Sequence, residues 1–136
     1  MDTNEAVGTL SALSQPTRLE VFRLLMRNEP HGLPAGEIAR QIEIPHNTMS
    51  THLAILERAE LLASHKQGRS VIYRVRLPAV HELVVYLLRD CCNGKPELCT
   101  PLIEELSICC NTQGGDCAGS TKPAKPPHRN REALAR

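Results

Sequence analysis

The sequence predicts a mainly α-helical fold with one β-hairpin. Apolar residues recur at helical spacing through most of the first 90 positions, whereas residues 61–76 alternate and contain a glycine turn. Aromatic residues make up only 2% of the 136-residue chain. A core of Leu, Ile, Val and Ala follows from that scarcity, and such a core suits packed helices better than a β-sandwich. The length is that of a single domain.

Four helices are predicted before residue 60, and a proline lies in the first turn of three of them. The stripe of Ala6, Val7, Leu10 and Leu13 defines the first helix, and Leu53, Leu56 and their neighbours define an apolar face on the fourth. The predicted bounds are Thr3–Ser14, Pro16–Arg27, Pro34–Gln41 and His46–Ala59.

The third and fourth helices are short and separated by a tight turn, which is typical of a helix-turn-helix. The run Leu61–Lys66, the turn around Gly68 and the run Ser70–Arg76 form a hairpin with a basic tip. This order of elements predicts a winged helix-turn-helix.

A long helix from Pro78 to about Cys92 is apolar on more than one face. In a chain of this size the natural partner is a second subunit, so we expect a homodimer through the first and the long C-terminal helices. A last helix is expected from Thr100 to Cys110. We therefore predict one domain over residues 1–110, followed by a disordered basic tail over residues 111–136.

The charge distribution favours duplex DNA as a partner. The net charge is only +1, but Pro45–Arg76 contains five basic and two acidic residues. A solvated surface explains that charge equally well, and the scarcity of aromatic residues argues against single-stranded nucleic acid. The N-terminus is not a signal peptide and no apolar run reaches the roughly 18 residues of a membrane helix. We expect a cytoplasmic protein with reduced thiols and no membrane partner.

Candidate contacts to double-stranded operator DNA come from the fourth helix and the hairpin. The N-terminal half of a recognition helix enters the major groove, where Asn pairs with adenine and Ser or Thr bonds to bases or phosphates. His52 is either such a contact or, as we favour, a half-buried residue that bonds within the domain. The candidates are Asn47, Thr48, Ser50, Thr51 and His52 on the helix, with Lys66 and Arg69 at the hairpin tip.

All six cysteines lie after residue 90, in two blocks with the pattern C-C-x6-C. The first block is Cys91, Cys92 and Cys99, and the second is Cys109, Cys110 and Cys117. Thiolates select soft ions, and arsenite and antimonite favour three thiolates in a pyramid. Zinc, a redox switch and inert cysteines are alternative interpretations. We place a metal site at the first block and a possible second site at the other.

Three segments together resemble the ArsR/SmtB family of metal- and metalloid-responsive repressors, over roughly Leu10–Arg89. Leu13–Val21 is similar to the family's L-x-x-P-T-R-L-x-I opening, and Asn47–Leu62 to its recognition helix and the A-G-L that follows. Gly68–Tyr73 is similar to its G-R-x-x-x-Y wing. The resemblance implies a dimeric repressor. Its arsenical branch implies Cys91, Cys92 and Cys99 as ligands of arsenite or antimonite, with no organic cofactor.

The sequence departs from the family pattern at Glu60, which stands where Gly is usual. Other ion-binding patterns of the family are missing, because residues 37–44 contain no cysteine and His81 is the only histidine on the long helix. A zinc- or redox-responsive repressor stays an alternative. Two hypotheses come from other functional classes. One is a thiol-based arsenic-reducing enzyme, and the other is a constitutive DNA-binding protein with a cysteine-rich tail that scavenges ions. We expect no enzymatic activity.

Overall fold

The computed structural model describes the backbone of residues 1–111 and the side chains of residues 1–107. The chain forms two units, Met1–Asn93 and a second that begins at Gly94. In the first unit lie α1 (Thr3–Leu13), α2 (Pro16–Arg27), β1 (Leu33–Pro34), α3 (Ala35–Ile42), α4 (His46–Arg58), β2 (Leu62–Gln67), β3 (Ser70–Val75) and α5 (Leu77–Leu88). The second contains a short 3₁₀ turn (Pro96–Leu98) and α6 (Thr100–Asn111).

Side-chain caps set the starts of α1 and α2. Asp2 accepts a bond from the Glu5 amide at 2.9 Å, and Glu5 accepts one from the Asp2 amide at 2.7 Å, which together form a capping box. Gln15 accepts from the Arg18 amide at 2.9 Å, and Pro16 fills the first helical position. The predicted bounds of α2 are confirmed.

The core is aliphatic, as the composition predicts. Its fully buried side chains come from α2, α3, α4 and the start of β2, and they are Val21, Leu25, Ile38, Met49, Leu53, Leu56, Leu61 and Leu62. The apolar stripe of α4 faces this cluster, so the opposite face of the same helix points to solvent. The winged helix-turn-helix architecture is confirmed.

The hairpin of β2 and β3 is antiparallel, with Leu62 opposite Val75 and Gln67 opposite Ser70. Gly68 has a φ of +63° at the first position of the two-residue turn, which is the geometry of a type II′ turn. Burial raises the pKa of Tyr73 in β3, and the negative charge of Glu57 raises it further. The phenol is therefore protonated at neutral pH.

Sequence analysis did not predict the third strand, β1. Leu33 pairs with Tyr73 and Pro34 with Ile72, so the sheet order is β1-β3-β2. The prediction that Pro34 opens α3 is wrong, because Pro34 is an edge-strand residue and the helix begins at Ala35. At Gly32, with φ +72°, a Cβ would lie 2.4 Å from the Tyr73 carbonyl oxygen, so only glycine lets the chain approach β3.

Glu29 ties the loop after α2 to the wing. Its carboxylate accepts the backbone amide of Val75 at 2.9 Å and the Arg74 guanidinium at 3.1 Å. The side chain of Glu29 is only 13% exposed, against 43% for Arg74. A shielded carboxylate that accepts two bonds holds β3 in register with the end of α2.

The long C-terminal helix is shorter than the sequence predicts. α5 ends at Leu88, so Cys91 and Cys92 lie in the turns beyond it and not on its last turn. The negative charge of Asp90 opposes the helix dipole at this end, and Asp, Cys and Asn are weak helix formers. Asn93 and Gly94 have φ values of +41° and +75°, as expected of residues that stop a helix. Among the described helices, none combines the length and apolarity needed to cross a bilayer.

Glu60 closes α4 in a left-handed conformation. Its φ is +60°, and the chain forms a Schellman motif in which the Leu61 amide donates to Leu56 O at 3.1 Å and the Glu60 amide to Glu57 O at 2.9 Å. The carboxylate of Glu60 lies 3.2 Å from Arg76, and both side chains are exposed. An exposed pair of this kind stabilises little, so the residue is held there by the backbone turn.

We expect Glu60→Gly to be more stable than Glu60→Ala by about 1 kcal/mol, because both lose the Arg76 pair and only glycine escapes the left-handed cost. Chemical denaturation at equal protein concentration measures the difference. Glu57→Gly, in the helix proper, is the control and should be destabilised instead. Equal stability of the two Glu60 variants would contradict the assignment.

Candidate DNA-binding face and cysteine pair

The outer face of α4 carries the predicted polar residues. Asn47, Thr48, Ser50 and Thr51 are all exposed, while Met49 among them and the following Leu53 are fully buried. The Ser50 hydroxyl donates to the His46 carbonyl at 2.9 Å, and the Asn47 side-chain oxygen accepts from the Thr48 amide at 3.0 Å. The Ser50 oxygen and the Asn47 NH₂ group remain able to bond outward.

His52 lies at the edge of this face and is half-buried, as expected. Its Nδ1 atom is buried and has no hydrogen-bond partner in the described part of the chain. The hydrogen bond within the domain that we expected is therefore not made by this nitrogen.

The wing carries the two predicted cations. Lys66 is the penultimate residue of β2 and Arg69 occupies the second turn position, and both are exposed. Neither forms an ion pair within the described residues. They are thus available to a polyanion, in contrast to Arg74 and Arg76 at the base of the wing, which pair with Glu29 and Glu60.

The first helix of the motif, α3, offers no such cation. Arg40 binds Glu37 through two side-chain bonds, one of them Nε to Oε2 at 2.9 Å, and Gln41 donates to Glu37 at 2.8 Å. The Arg40 guanidinium, with help from Gln41, lowers the pKa of Glu37 to about 2, and Glu37 in turn raises the pKa of Arg40. Sequence analysis missed this pair, although its i, i+3 spacing could have indicated it.

The structure brings Cys91 and Cys92 together. Their sulfur atoms are 3.3 Å apart in the turn after α5, with Cys91 exposed and Cys92 half-buried. In the second unit, Cys99 follows the 3₁₀ turn and is half-buried, and its amide donates to Pro96 O at 3.0 Å. Cys109 and Cys110 fall within α6, but their side chains and all of Cys117 and the predicted tail lie outside the described residues.

Apolar side chains are exposed on α1 and α5, the two helices expected to form a dimer. They are Val7, Leu10, Leu77, Val84, Val85, Leu87 and Leu88. The two helices touch, and the hydroxyl groups of Thr3 and Tyr86 are 2.7 Å apart. The exposed apolar side chains of α1 and α5 thus belong to two adjacent helices of the first unit.

Residues 13–65 match a family model described as a helix-turn-helix domain. The transcriptional activator HlyU of Vibrio cholerae is 31% identical over 90 residues, which covers 66% of this chain and 81% of HlyU. The arsenical resistance operon repressor of Staphylococcus xylosus is 28% identical over 119 residues, covering 86% of this chain and 100% of the repressor.

Solved structures show the same fold. HlyU from Vibrio cholerae superimposes with a TM-score of 0.51 at 32% identity, over 64% of this chain and 97% of HlyU. An ArsR-like transcriptional regulator from Rhodococcus has a TM-score of 0.57 at 23% identity, over 76% and 93%. A homodimeric winged helix-turn-helix DNA-binding domain from Mycobacterium bovis has a TM-score of 0.53 at 19% identity, over 62% and 77%.

The lowered pKa of Glu37 predicts a specific pH dependence. A carboxylate whose folded pKa lies below its ordinary value stabilises the fold above that ordinary value, and the contribution is lost as pH falls through about 2. The Glu37 carboxyl carbon should therefore show no NMR titration between pH 6 and pH 3. Arg40→Gln should raise the midpoint of Glu37 toward the ordinary 4.5, although the remaining bond from Gln41 keeps it below that value, whereas Arg27→Gln should leave the midpoint unchanged. A Glu37 midpoint that Arg40→Gln leaves unchanged would rule out this cause.

Proposed function

The chain belongs to the ArsR/SmtB family of DNA-binding transcriptional repressors, and we propose that trivalent arsenic or antimony, bound to cysteine thiolates, releases it from operator DNA in the cytoplasm. The observation that carries the proposal is the pair of adjacent cysteines, Cys91 and Cys92, in the turn after α5. It is supported by the similarity to an arsenical resistance repressor over most of this chain.

The geometry of the pair allows one small ion to bind both sulfur atoms. The Cys91 and Cys92 sulfur atoms are 3.3 Å apart. Thiolates that share one metal ion lie at a similar separation, since each is about 2.3 Å from the metal.

Cys99 supplies the third thiolate in this proposal. Six residues separate Cys99 from Cys92. A segment of that length spans at most about 25 Å, so the connection limits how far Cys99 can be from the pair. The left-handed Asn93 and Gly94 turn the chain at the start of the connection. The second site remains a prediction; its ligands would be Cys109, Cys110 and Cys117.

The functional unit is a homodimer in which α1 and α5 pair with those of a second copy. The exposed apolar side chains of these helices support this arrangement, as does the homodimeric state of the Mycobacterium bovis domain. The dimer places two α4 helices on an inverted repeat, with Asn47, Thr48, Ser50 and Thr51 in the major groove. Lys66 and Arg69 contact phosphates, and His52 orients the helix from its edge.

Ion binding acts on this dimer through the end of α5. Three thiolates on one ion constrain the segment after Leu88, and a change at the end of a dimer helix alters the spacing of the two α4 helices. The coupling is reciprocal, so operator DNA weakens ion binding by the same factor. The protein acts by stoichiometric binding and not by turnover of arsenic.

Arsenite should lower the affinity of the reduced protein for an operator fragment at least tenfold, within the usual range of allosteric coupling. Fluorescence anisotropy with DNA selected from a random library measures the change. Cys91→Ser and Cys92→Ser should each abolish the response without altering DNA affinity. Cys117→Ser, a matched loss of one thiol outside the first block, should respond like the wild type. Undiminished wild-type affinity at saturating arsenite would refute the proposal.

The two classes of DNA contact should separate in titrations. Asn47→Ala should cost about 1–3 kcal/mol for the selected sequence and relax preference at one base pair, because it removes a base contact. Lys66→Ala should weaken all sequences alike and reduce the salt dependence by about one unit, because it removes a phosphate contact. If Asn47→Ala weakens random and selected DNA equally, Asn47 does not read a base.

A further inference from the structure

A cavity of about 600 Å³ opens in the first unit where α1, α2, α4 and α5 meet. This volume is typical of sites for small organic molecules. Ala12 in its wall is buried and Ile55, Ala59 and Ala79 are half-buried, whereas Arg58 and Glu82 are exposed. The deeper part of the cavity is thus aliphatic and its rim is charged.

Two guanidinium groups line the cavity without a carboxylate partner among residues 1–107. Within that range, Arg18 donates to the carbonyl oxygens of Ala12 and, at 3.5 Å, Ser11. Arg58 has no ion pair within the part of the chain whose side chains are described. Three carboxylates also line the cavity: Glu5 caps α1, Glu60 pairs with Arg76, and Glu82 is exposed at the rim.

Gly8 borders the cavity. It lies in the middle of α1, where glycine costs about 1 kcal/mol relative to alanine. A Cβ built at this position meets no atom within 4 Å, so backbone crowding does not account for the glycine. A larger side chain here would project into space that is now empty.

The cavity is separate from the proposed dimer contact. Thr9 and Ala12 belong to the buried stripe of α1, whereas the exposed Val7 and Leu10 lie on another face of that helix. On α5, Ala79 lines the cavity, and the exposed Leu77, Val84 and Leu88 lie on a different face from it. The two surfaces adjoin near Glu82, which lines the cavity and lies one turn before the exposed Val85.

We infer that this cavity binds a small aliphatic monocarboxylate. The carboxylate bonds to the guanidinium groups of Arg18 and Arg58, whose planar donor geometry matches it. The hydrocarbon part lies against Ala12, Ile55 and Ala79. The exposed Glu82 at the rim disfavours a dianionic phosphate. Because Ile55 and Arg58 belong to the last turn of α4 and Ala59 caps it, the ligand contacts the recognition helix directly.

Hexanoate titrated into the reduced full-length protein, followed by ¹H–¹⁵N NMR, tests the inference. We expect saturable shifts at Gly8 and Ala59, and a Kd at least tenfold weaker in Arg58→Gln. Arg23→Gln, which removes an exposed arginine of α2 away from the cavity, should stay within twofold of the wild type. Hexylamine and inorganic phosphate should not bind there, since each lacks one half of the ligand.

Three further variants separate loss of the cavity from loss of the fold and from the arsenic response. Gly8→Leu should fold at least as well, because leucine favours helix, yet lose hexanoate binding, whereas Gly8→Ala should retain it. The Cys91→Ser, Cys92→Ser double variant should bind hexanoate like the wild type, so this result is independent of the proposed arsenic response. Absence of saturable shifts, equal binding of hexylamine, or unchanged affinity in Arg58→Gln would overturn the inference.

Discussion

The burial of one face of α4 against α2 and α3 is the contact on which the rest of the molecule depends. Met49, Leu53 and Leu56 are fully inaccessible to solvent. Replacing such a leucine with alanine costs about 2–5 kcal/mol, a large part of the stability of a domain this size. With this face buried, the rotation of α4 about its axis is set, and Asn47 and Thr51 can only point outward.

The wing is oriented by apolar contacts with the same core and by a hydrogen bond. Leu61 and Leu62 are buried at the start of β2, and the Glu29 carboxylate accepts a bond from the Val75 amide at 2.9 Å. Gly32 allows the loop before β1 to lie against Tyr73. The cations at the wing tip are thereby carried on a strand pair anchored at one end. The hairpin keeps a defined direction relative to α4 while its tip remains exposed.

The arrangement of charges separates structural from available cations. Arg40, Arg74 and Arg76 each have a carboxylate partner, whereas Lys66, Arg69 and Arg58 have none among the described residues. The basic stretch of residues 45–76 counts all of them except Arg40 equally. A paired guanidinium gains less from a phosphate than an unpaired one. Among these six cations, those without a carboxylate partner are therefore Lys66 and Arg69 at the wing tip and Arg58 at the end of α4.

The sequence by itself determined the elements whose signals are local. Pro16 with Gln15 sets the start of α2, the 3.6-residue period identifies α4 and its exposed face, and Gly68 marks the wing turn, because each depends on neighbours within a few positions. Tertiary structure decided what depends on distant residues. Pro34 belongs to a strand because β3 lies beside it. The Nδ1 atom of His52 does not make the hydrogen bond within the domain that we expected of this residue. The Arg18 and Arg58 cavity arises only where four helices meet. The end of α5 at Leu88 depends partly on local sequence, because Asp90 and the weak helix formers after it disfavour a longer helix. The apolar pattern nevertheless led us to predict a helix that continues to about Cys92.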